Sequence, residues 1–502
     1  MLPDWPEVDF IVGNPPFIGG KDIRKQLGGD YAEALWKANP RVPKSADFVM
    51  QWWDRAAHSL IAKGSPLRRF GFVTTNSITQ EFSRRVIEGY LEGGQASLVM
   101  AIPDHPWTKA SKQAAAVRIA MTVAECGVTA GAFVEVVREA GLDSDSPTIV
   151  TTETTGSIHA SLSVGANAAS SKALLASAGL SSPGVKLHGA GFIISPQEAE
   201  HLGLGKREGL DSHIRPYLNG RDMLQRPRGA MVIDLFGLDE KEARQRFPEV
   251  YQHLMETVKV GRDEQVQRSS TSDAKAYALT WWLHGKPRSE LRPALDGLGR
   301  YIATAETAKH RLFQFVDGSV LPDNMIVAIA SADALHLGVL SSRIHVTWAL
   351  ERGGTLEDRP RYNKTNCLDP FPFPDAGPDH VETIRAIAEE LDATRKLALE
   401  EVSGLTMTEL YNLRDKLRFG AAMSPADQDR ARAARAGIVN RLHEQLDEAV
   451  AAAYGWPADL PPSEIVTRLV GLNAERAAEE QAGTVRWLRP DYQIPRFAAR
   501  KA

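Results

Sequence analysis

The sequence predicts an α/β protein in which an open sheet comes first, a mixed α+β region follows, and a helical region comes last. Three observations support this prediction. Apolar runs alternate with helical segments over about the first 125 residues. Strand-like and helix-like segments are mixed over residues 190–375, and Ala, Glu, Arg and Leu recur at helical spacing over residues 381–454. We therefore expect a mainly parallel first sheet and a C-terminal helical hairpin or small bundle.

The first region contains short apolar strands and amphipathic helices that end at Gly or Pro breakers. Its last two strands are joined by a loop without an intervening helix, so we expect them to run antiparallel. In chain order, the expected elements are a strand over Asp9–Gly13, a helix over Ala46–Lys63, a strand over Phe70–Thr75, a helix over Gln80–Leu91, and strands over Ser97–Ile102 and Ala115–Ala124.

The rest of the chain is less regular. Residues 127–191 are rich in Ala, Ser, Thr and Gly, which predicts a connection with a little strand content or a poorly packed extension. Further on we expect strands over Ala230–Leu235 and Asn324–Ala330, a helix over Glu240–Val260, and a rigid extended segment at Pro370–Pro374. We divide the chain into residues 1–135, 136–190, 191–376 and 377–502.

Length and composition limit the class of protein. With 502 residues, 43% hydrophobic and 24% charged, the chain suits a globular protein of about three domains. No run approaches the ~20 apolar residues of a membrane span, and the first residues do not resemble a secretory signal. Two cysteines exclude a disulfide framework or a structural zinc module and fit a cytoplasmic protein without a metal. A net charge of −4 means that any nucleic-acid surface must be local.

The tetrapeptide Asn14-Pro15-Pro16-Phe17 directly follows the first predicted strand. Asp, Asn or Ser, then two prolines and an aromatic residue, is the signature of methyltransferases that act on exocyclic or amide nitrogens. About 0.02 chance matches are expected in a chain of this composition. A purely structural interpretation also stays open, in which a rigid Pro-Pro turn ends a strand and the aromatic side chain joins the core.

Methyl transfer to an adenine amine explains these residue types. The lone pair of the N6 amine is delocalised into the ring, so the nitrogen is a poor nucleophile. The side-chain oxygen of Asn14 and the carbonyl of Pro15 can accept the two N6 hydrogens and localise the lone pair for in-line attack on a sulfonium methyl. Phe17 would stack on the base, which must first be flipped out of a duplex.

The chain resembles the gamma-class amino DNA methyltransferases of restriction–modification systems, in particular the MmeI-like group. Asn14-Pro15-Pro16-Phe17 matches the family's catalytic motif, and Ala46–Val49 is similar to the segment that borders its cofactor. Phe70–Ser77 and Trp107–Val123 are similar to its later strands. The resemblance implies a partial Rossmann-like methyltransferase sheet, S-adenosyl-L-methionine as the cofactor, and Asp47 and Phe48 as cofactor-binding residues.

Residues 191–376 resemble the family's DNA target-recognition domain. Ile214–Asp222 is similar to the opening motif of that domain and Arg359–Pro374 to its closing one, with Ala305–Arg311 and Leu340–His345 between them. A local excess of basic residues over 206–228 suits phosphate and base-edge contacts, although a solvated loop would have the same composition. The residues expected to bind DNA are Arg215, Tyr217, Asn219, Arg221, Arg226, Arg311 and Arg361.

The resemblance covers only part of the family pattern, because gamma-class enzymes place a glycine-containing cofactor loop upstream of the catalytic motif. Thirteen residues precede Asn14, too few for that loop and its strands. We therefore expect an unpaired sheet edge at Phe10–Gly13 and weak cofactor binding by the isolated chain. The chain is then either a C-terminal fragment or one subunit of a split enzyme, in which a separate chain supplies the missing half. The sequence carries no recognisable magnesium-nuclease motif.

These observations predict a site-specific DNA methyltransferase that modifies the N6 amine of a flipped adenine, within a restriction–modification or phage-defence system. In this interpretation residues 1–135 are the C-terminal part of the catalytic domain, 136–190 a connecting segment, 191–376 the recognition domain and 377–502 a helical region. Cytosine N4 stays open as a target, as do RNA adenine and protein glutamine. The alternative is a catalytically silent DNA-specificity module, or a truncated fragment, that has lost cofactor binding.

Overall fold

A computed structural model describes residues 5–107, 118–140, 148–268, 271–356 and 359–497. The chain divides into two compact units, Met1–Ser170 and Ser171–Ala502, each with its own core. No helix in the described ranges is long and apolar enough to cross a membrane.

The first unit alternates strands and helices, as the apolar runs predict. Its strands are β1 (Phe10–Gly13), β2 (Arg69–Thr75), β3 (Ala96–Pro106), β4 (Arg118–Cys126), β5 (Gly131–Ala140) and β6 (Thr148–Gly156), and its helices are α1 (Ile23–Leu27), α2 (Gly29–Ala38), α3 (Met50–Leu60) and α4 (Glu81–Leu91). A short 3-10 helix, Asn76–Thr79, follows β2. Residues 115–117 of the expected fourth strand, and residues 108–117 of the family-like hairpin segment, lie outside the described residues.

The described strands of this unit form one mixed sheet in the order β1-β2-β4-β3-β5-β6. β1 and β2 are parallel, and β4 lies between β2 and β3, antiparallel to both. The predicted antiparallel arrangement of the third and fourth strands is therefore confirmed. β3 and β5 are parallel, and β6 runs antiparallel to β5.

The expectation of a mainly parallel sheet was wrong, because the sheet is mixed. The interval predicted to be a connection with a little strand content holds two full strands, β5 and β6. β6 is exposed along almost its whole length, so its sequence shows no apolar alternation to mark it as a strand. Its threonines favour extended backbone, but they carry no information about a buried face.

Helices α3 and α4 pack against the sheet through large apolar side chains. Trp53 is fully buried, and its ring meets Phe70 of β2 edge-on with centroids 5.2 Å apart. Its indole N–H donates to Thr122 Oγ1 of β4 at 3.4 Å, so one side chain ties α3 to two strands. The buried carboxylate of Asp54 in α3 accepts hydrogen bonds from Arg41 and from Tyr90 of α4. It thereby links α3 to α4 and to the segment that precedes α3.

β1 lies at one edge of the sheet. Among the described strands it pairs only with β2, in the parallel register Phe10↔Arg69 to Gly13↔Phe72. Val12 is 88% exposed and Phe10 is 54% exposed, which is unusual for side chains of this type in a strand. The expected open edge is therefore present in the structure.

The described part of the second unit contains two four-stranded sheets, one two-stranded sheet and a set of helices. Its strands are β7 (Ser181–Pro183), β8 (Ile193–Ile194), β9 (Ile214–Leu218), β10 (Met231–Ile233), β11 (Arg300–Ala305), β12 (Gln314–Asp317), β13 (Leu321–Pro322), β14 (Ile326–Ile329), β15 (Thr355–Leu356) and β16 (Arg359–Pro360). The described sheets have the orders β13-β9-β10-β8 and β12-β11-β14-β7, and β15 pairs with β16. β10 and β14 confirm the two strands predicted in this region.

The helices of the second unit follow the apolar and charged periodicity of the sequence. They are α5 (Pro196–His201), α6 (Gly220–Leu224), α7 (Glu240–Arg246), α8 (Pro248–Leu254), α9 (Val260–Arg268), α10 (Ser272–Leu279), α11 (Arg292–Leu295), α12 (Ala334–Ser341), α13 (Arg343–Gly353), α14 (Pro378–Glu401), α15 (Met407–Arg418), α16 (Pro425–Ala433), α17 (Ala436–Tyr454), α18 (Pro462–Gln481) and α19 (Pro490–Phe497). The predicted C-terminal helical region is confirmed.

The single helix expected over Glu240–Val260 is instead broken at Pro248. Phe247 leaves the helical conformation at φ −133° and ψ 60°, and Pro248 begins α8 at its first position. Proline suits this position because it has no N–H to donate within a helix. A five-residue π-helical turn at Met255–Lys259 then leads into α9.

Helix α12 packs closely against α14 and α17 at Gly338, which predicts an opposite effect of alanine at two helical glycines. A Cβ added at Gly338 would lie 2.5 Å from Cγ2 of Ile384 and 3.2 Å from Cδ1 of Leu446, whereas a Cβ at Gly471 in α18 would meet nothing. We expect Gly338→Ala to lower the free energy of unfolding by about 1–3 kcal/mol and Gly471→Ala to raise it by about 0.5–1 kcal/mol.

Urea denaturation of the two variants beside the unchanged chain measures this difference. Equal stability of Gly338→Ala and Gly471→Ala would contradict the close packing of α12.

Candidate functional site

The tetrapeptide Asn14-Pro15-Pro16-Phe17 directly follows β1, at the carboxyl end of the parallel β1–β2 pair. Pro15 is buried, whereas Asn14, Pro16 and Phe17 are exposed. The side-chain amide of Asn14 and the carbonyl oxygen of Pro15 make no hydrogen bond within the described ranges. Two acceptor oxygens are therefore free at the carboxyl end of the strands. This is the end at which ligands bind in open α/β sheets.

A concave surface of about 590 Å³ lies beside this motif and runs along β1. Its walls are largely aromatic and aliphatic, with Trp5, Trp52 and Phe72 contributing the large rings. Asn14 and Pro15 form part of the same wall. An apolar concavity with a few polar groups at one end is the usual character of a small-molecule or base-binding site.

The loop after the motif is tied to the start of α3 by two hydrogen bonds. The backbone N–H of Phe48 donates to the carbonyl oxygen of Ile18 at 2.9 Å, and the N–H of Gly20 donates to Asp47 Oδ1 at 3.0 Å. The motif is thus held between a regular strand on one side and an anchored loop on the other.

Asp47 joins this loop to the segments that follow β2. The hydroxyl of Ser77 donates a short hydrogen bond to Asp47 Oδ2, and the backbone N–H of Asp47 donates to Ser83 Oγ of α4 at 3.3 Å. One residue therefore connects the loops after two neighbouring strands with the starts of two helices. This geometry favours a positioning role for Asp47, and its expected contact with a cofactor stays a prediction.

Gly20 is required by the closeness of this junction. A Cβ at Gly20 would meet the carbonyl oxygens of Ser45 and Ala46 far inside van der Waals contact, whereas the Asp47 oxygen is bound to the Gly20 N–H. Glycine is therefore the residue that lets the loop approach the backbone before α3.

Phe48, the second expected cofactor residue, lies in a small aromatic cluster. It is 5% exposed, and its ring meets Trp52 edge-on at 4.6 Å and Tyr31 at 6.5 Å. Its neighbours include Ile23 and Ala32 of the first two helices, so it packs α1 and α2 onto α3. Trp52 extends from this cluster to the wall of the concave surface. A direct contact of Phe48 with a cofactor stays a prediction.

Several of the residues expected to bind DNA are used inside the second unit. Arg215 donates to the carbonyl oxygens of Ser319 at 2.8 Å and Gly318 at 2.9 Å, and burial lowers the pKa of its guanidinium. Tyr217 is buried and donates to Asp323 Oδ2 at 2.7 Å, and burial raises the pKa of its phenol.

Asn219 and Arg311 likewise support local backbone structure. Asn219 caps α6, where its Oδ1 accepts the N–H of Asp222 at 2.8 Å. Arg311 is 8% exposed and donates to the carbonyl oxygen of Pro360 at 2.9 Å and to Thr304 Oγ1 at 3.0 Å. Burial lowers the pKa of Arg311 to about 10.

The other three expected DNA-binding residues are exposed. Arg361 pairs with Glu306 at 2.6 Å, and Arg221 donates to Gln225 Oε1 at 2.9 Å. Arg226 has no hydrogen-bond or ion-pair partner within the described ranges. Of the seven residues, Arg226 is thus the most available for contact with an anionic partner. Whether any of them binds DNA stays a prediction.

Sequence reasoning missed the residues that hold the motif in place. Ser77 and Ser83 were not singled out, although Ser77 directly follows the second parallel strand, where its polar side chain was a usable signal. Gly20, Trp52 and Phe72 carry no local signal, because their roles depend on contacts with distant segments. Among the described residues, no group of three His, Cys, Asp or Glu side chains could hold a metal ion.

Two family models match successive parts of the chain, and the first includes the motif and the Asp47 contacts. Residues 4–129 match the MmeI DNA-methyltransferase domain, and residues 170–375 match the MmeI target recognition domain. Together they cover more than half of the chain. The chain belongs to the MmeI family of DNA methyltransferases.

Relatives of this MmeI-family chain are longer proteins. DNA methyltransferase A of Bacillus subtilis (strain 168) is 23% identical over 448 residues, which are 87% of this chain and 45% of that protein. The Type IIL restriction-modification enzyme MmeI, solved in complex with DNA, aligns with a TM-score of 0.69 and 20% identity over 93% of this chain and 57% of its own. The chain thus spans about half the length of these two relatives, and the MmeI structure supports its fold.

A third alignment, to the type IIG restriction endonuclease BpuSI, has a TM-score of 0.29 and 11% identity, too low to support an argument about the fold.

The junction at Gly20 predicts a further opposed pair of variants. Gly20→Ala should lower the free energy of unfolding by about 1–3 kcal/mol, because the new methyl group displaces the backbone before α3. Gly89→Ala in α4 is the matched control: its methyl group meets nothing, and we expect stability to rise by about 0.5–1 kcal/mol.

Thermal unfolding of both variants checks this, with stability of Gly20→Ala at or above that of the unchanged chain as the contradicting result.

Proposed function

We propose that this MmeI-family chain transfers the methyl group of S-adenosylmethionine to the N6 amine of an adenine flipped out of duplex DNA, at a specific sequence. The observation that carries the proposal is the Asn14-Pro15-Pro16-Phe17 motif at the carboxyl end of β1. Asn14, Pro16 and Phe17 are exposed, and the acceptor oxygens of Asn14 and Pro15 have no partner within the described residues. We further propose that it acts in the cytoplasm, in a restriction–modification or phage-defence system.

The motif acts on the amine through hydrogen bonding. Asn14 Oδ1 and the carbonyl oxygen of Pro15 accept the two N6 hydrogens, which draws the nitrogen toward tetrahedral geometry and localises its lone pair. Phe17 is 38% exposed and offers one face for stacking on the flipped base. Pro16 keeps the turn rigid because its ring fixes φ. These acceptors need no rearrangement, since they have no other partner in the described part of the chain.

The residues beside the motif fit one side of the cofactor. S-adenosylmethionine supplies a sulfonium methyl group, a cation that aromatic faces attract, and Trp5, Trp52 and Phe72 line the concave surface next to Asn14. Phe48 supports Trp52 from within the core. Asp47 holds the motif loop and the segment after β2 together through its hydrogen bonds with Gly20 and Ser77. We therefore assign it a positioning role in cofactor and base binding.

The exposed edge of β1 suggests how the other side is formed. Its backbone groups and the side chain of Val12 are available to a further parallel strand. We propose that polypeptide with the glycine-containing cofactor loop pairs here, in the same or a separate chain. The 502 residues alone would then bind S-adenosylmethionine weakly.

The second unit would bind the DNA. Arg221 and Arg226 lie in and just after α6 and are exposed, and cationic side chains of this kind contact phosphates or base edges. Arg215, Tyr217, Asn219 and Arg311 would support this surface indirectly, since their polar groups already have protein partners.

Loss of one acceptor of the motif should abolish catalysis without loss of DNA binding. We expect Asn14→Ala to reduce methyl transfer from labelled S-adenosylmethionine to mixed-sequence duplex DNA by about 100-fold or more, by analogy with the loss of one preorganised hydrogen bond. Asn440→Ala is the control, because Asn440 lies in α17 of the second unit, where its side-chain N–H donates to Glu444 Oε1 at 2.7 Å, and it is not part of the motif.

The assay is run with millimolar cofactor because weak binding is expected. Methyl transfer that persists undiminished in Asn14→Ala would contradict the proposal. No transfer by the unchanged chain, together with normal DNA binding, would support either a catalytically silent specificity module or a chain that needs a separate cofactor-binding half.

Two arginines should separate DNA contact from structural support. Arg226→Gln should weaken binding to all duplexes and reduce the slope of log affinity against log salt by about 1, with an unchanged melting temperature. Arg215→Gln should lower the melting temperature, because the carbonyl oxygens of Gly318 and Ser319 lose the guanidinium that links them to β9. Salt-dependent fluorescence anisotropy and thermal unfolding measure both, and an unchanged salt slope in Arg226→Gln would refute the contact.

A further inference from the structure

A small cavity of about 210 Å³ lies in the second unit, among α13, α15, α17 and the segment after β11. It is separate from the motif-bearing first unit. Five lysine and arginine residues line it, against two aspartates. An excess of positive over negative charge in so small a cavity is energetically unfavourable unless a bound anion balances it.

Arg414 of α15 is the least satisfied of these cations. Its guanidinium makes no hydrogen bond or ion pair within the described ranges, and its Nε is shielded from solvent. The guanidinium makes a cation–π contact with Tyr411, whose ring centroid lies 5.5 Å from the guanidinium carbon. Burial lowers the pKa of Arg414. A partly buried guanidinium with five donors and no acceptor is costly, which indicates that a partner is missing.

Ser341 is a second, independent indication that a ligand is missing from this cavity. Its side chain is 5% exposed, its Oγ has no hydrogen-bond partner, and the residue lines the cavity at the end of α12. A buried hydroxyl without a partner is rare in native structures. Two residues with an unsatisfied donor, one cationic and one neutral, therefore line the same cavity.

Most of the other lining charges already have partners. Lys309 donates to Asn412 Oδ1 at 2.7 Å, and Arg343 donates to the carbonyl oxygen of Leu460 at 2.6 Å. Asp447 accepts the backbone N–H of Arg343 at 2.6 Å, and burial raises the pKa of its carboxyl to about 6. Arg418, one helical turn after Arg414, makes no ion pair within the described ranges.

We propose that this cavity binds a phosphate-class oxyanion through Arg414, Arg418 and the hydroxyl of Ser341. A tetrahedral anion offers several acceptor oxygens, which matches two guanidinium groups and one hydroxyl better than the two oxygens of a carboxylate. The site goes beyond the methyl-transfer function proposed above and does not depend on it. Its ligand comes either from free phosphate groups in solution or from a phosphate of bound DNA.

Arg414→Met gives a test with two opposite signs. Without phosphate, the variant should melt at or above the temperature of the unchanged chain, because an unpaired buried charge is replaced by an apolar side chain of similar length. In millimolar inorganic phosphate, the unchanged chain should melt a few degrees higher than in chloride of equal ionic strength, and the variant should not respond. Arg441→Met on α17, an exposed arginine that does not line the cavity, should respond like the unchanged chain.

Ser341→Ala is the second variant, because it removes the unpaired hydroxyl and leaves the charges in place. We expect phosphate binding, measured by calorimetry on the full chain, to weaken severalfold with no loss of stability. Phosphate that stabilises the unchanged chain no more than chloride does, or that stabilises Arg414→Met equally, would overturn the proposal.

Binding to a mixed-sequence duplex separates the two sources of phosphate. If Arg414→Met weakens duplex binding severalfold and phosphate competes with the duplex for the unchanged chain, the ligand is a DNA phosphate. If the variant loses only its response to inorganic phosphate, the ligand is a free oxyanion. If the variant keeps both responses, the proposal is overturned, whether or not the chain transfers methyl groups.

Discussion

The arrangement of the candidate active site depends on the hydrogen bonds of Asp47. Its carboxylate accepts the N–H of Gly20 on one side and the hydroxyl of Ser77 on the other, and its own N–H donates to Ser83. Loops are usually the variable parts of an α/β sheet. Here the loops after β1 and β2 are joined to the starts of α3 and α4, so the exposed motif is presented by a fixed frame rather than by a flexible connection.

This frame also explains the division of roles around the motif. The acceptor oxygens of Asn14 and Pro15 have no protein partner, whereas the polar groups that surround them are satisfied by each other. Preorganised acceptors cost little reorganisation when a substrate arrives. The edge position of β1 leaves one side of the same region open, and this is why we place the missing part of the cofactor site there.

Local sequence was sufficient for the elements with a buried apolar face. β1, β2, α3 and α4 were predicted because their apolar residues follow strand or helix periodicity. β6 was missed because a strand with two exposed faces has no such pattern. The apolar residues Phe133, Val134 and Val136 of the half-buried β5 were a usable signal that was overlooked, and the break before Pro248 was missed although proline is a visible signal. The catalytic motif could be identified because its residues are contiguous.

The recognition residues could not be resolved in the same way. Arg215 and Arg311 donate to backbone carbonyl oxygens of distant segments, whereas Arg226 is exposed and unpartnered within the described ranges. These environments depend on long-range packing, and nothing in the residue type or its neighbours distinguishes them. The same holds for Asp47, whose role as a junction requires three segments to meet.

The central claim is that the motif directs a methyl group to an adenine amine. Mass spectrometry of nucleosides from treated duplex DNA tests it most directly, because it identifies which methylated nucleoside is formed and not only that label is incorporated. The account predicts N6-methyldeoxyadenosine as the product. N4-methyldeoxycytidine as the product, or methylated nucleosides that persist after Asn14→Ala, would contradict it.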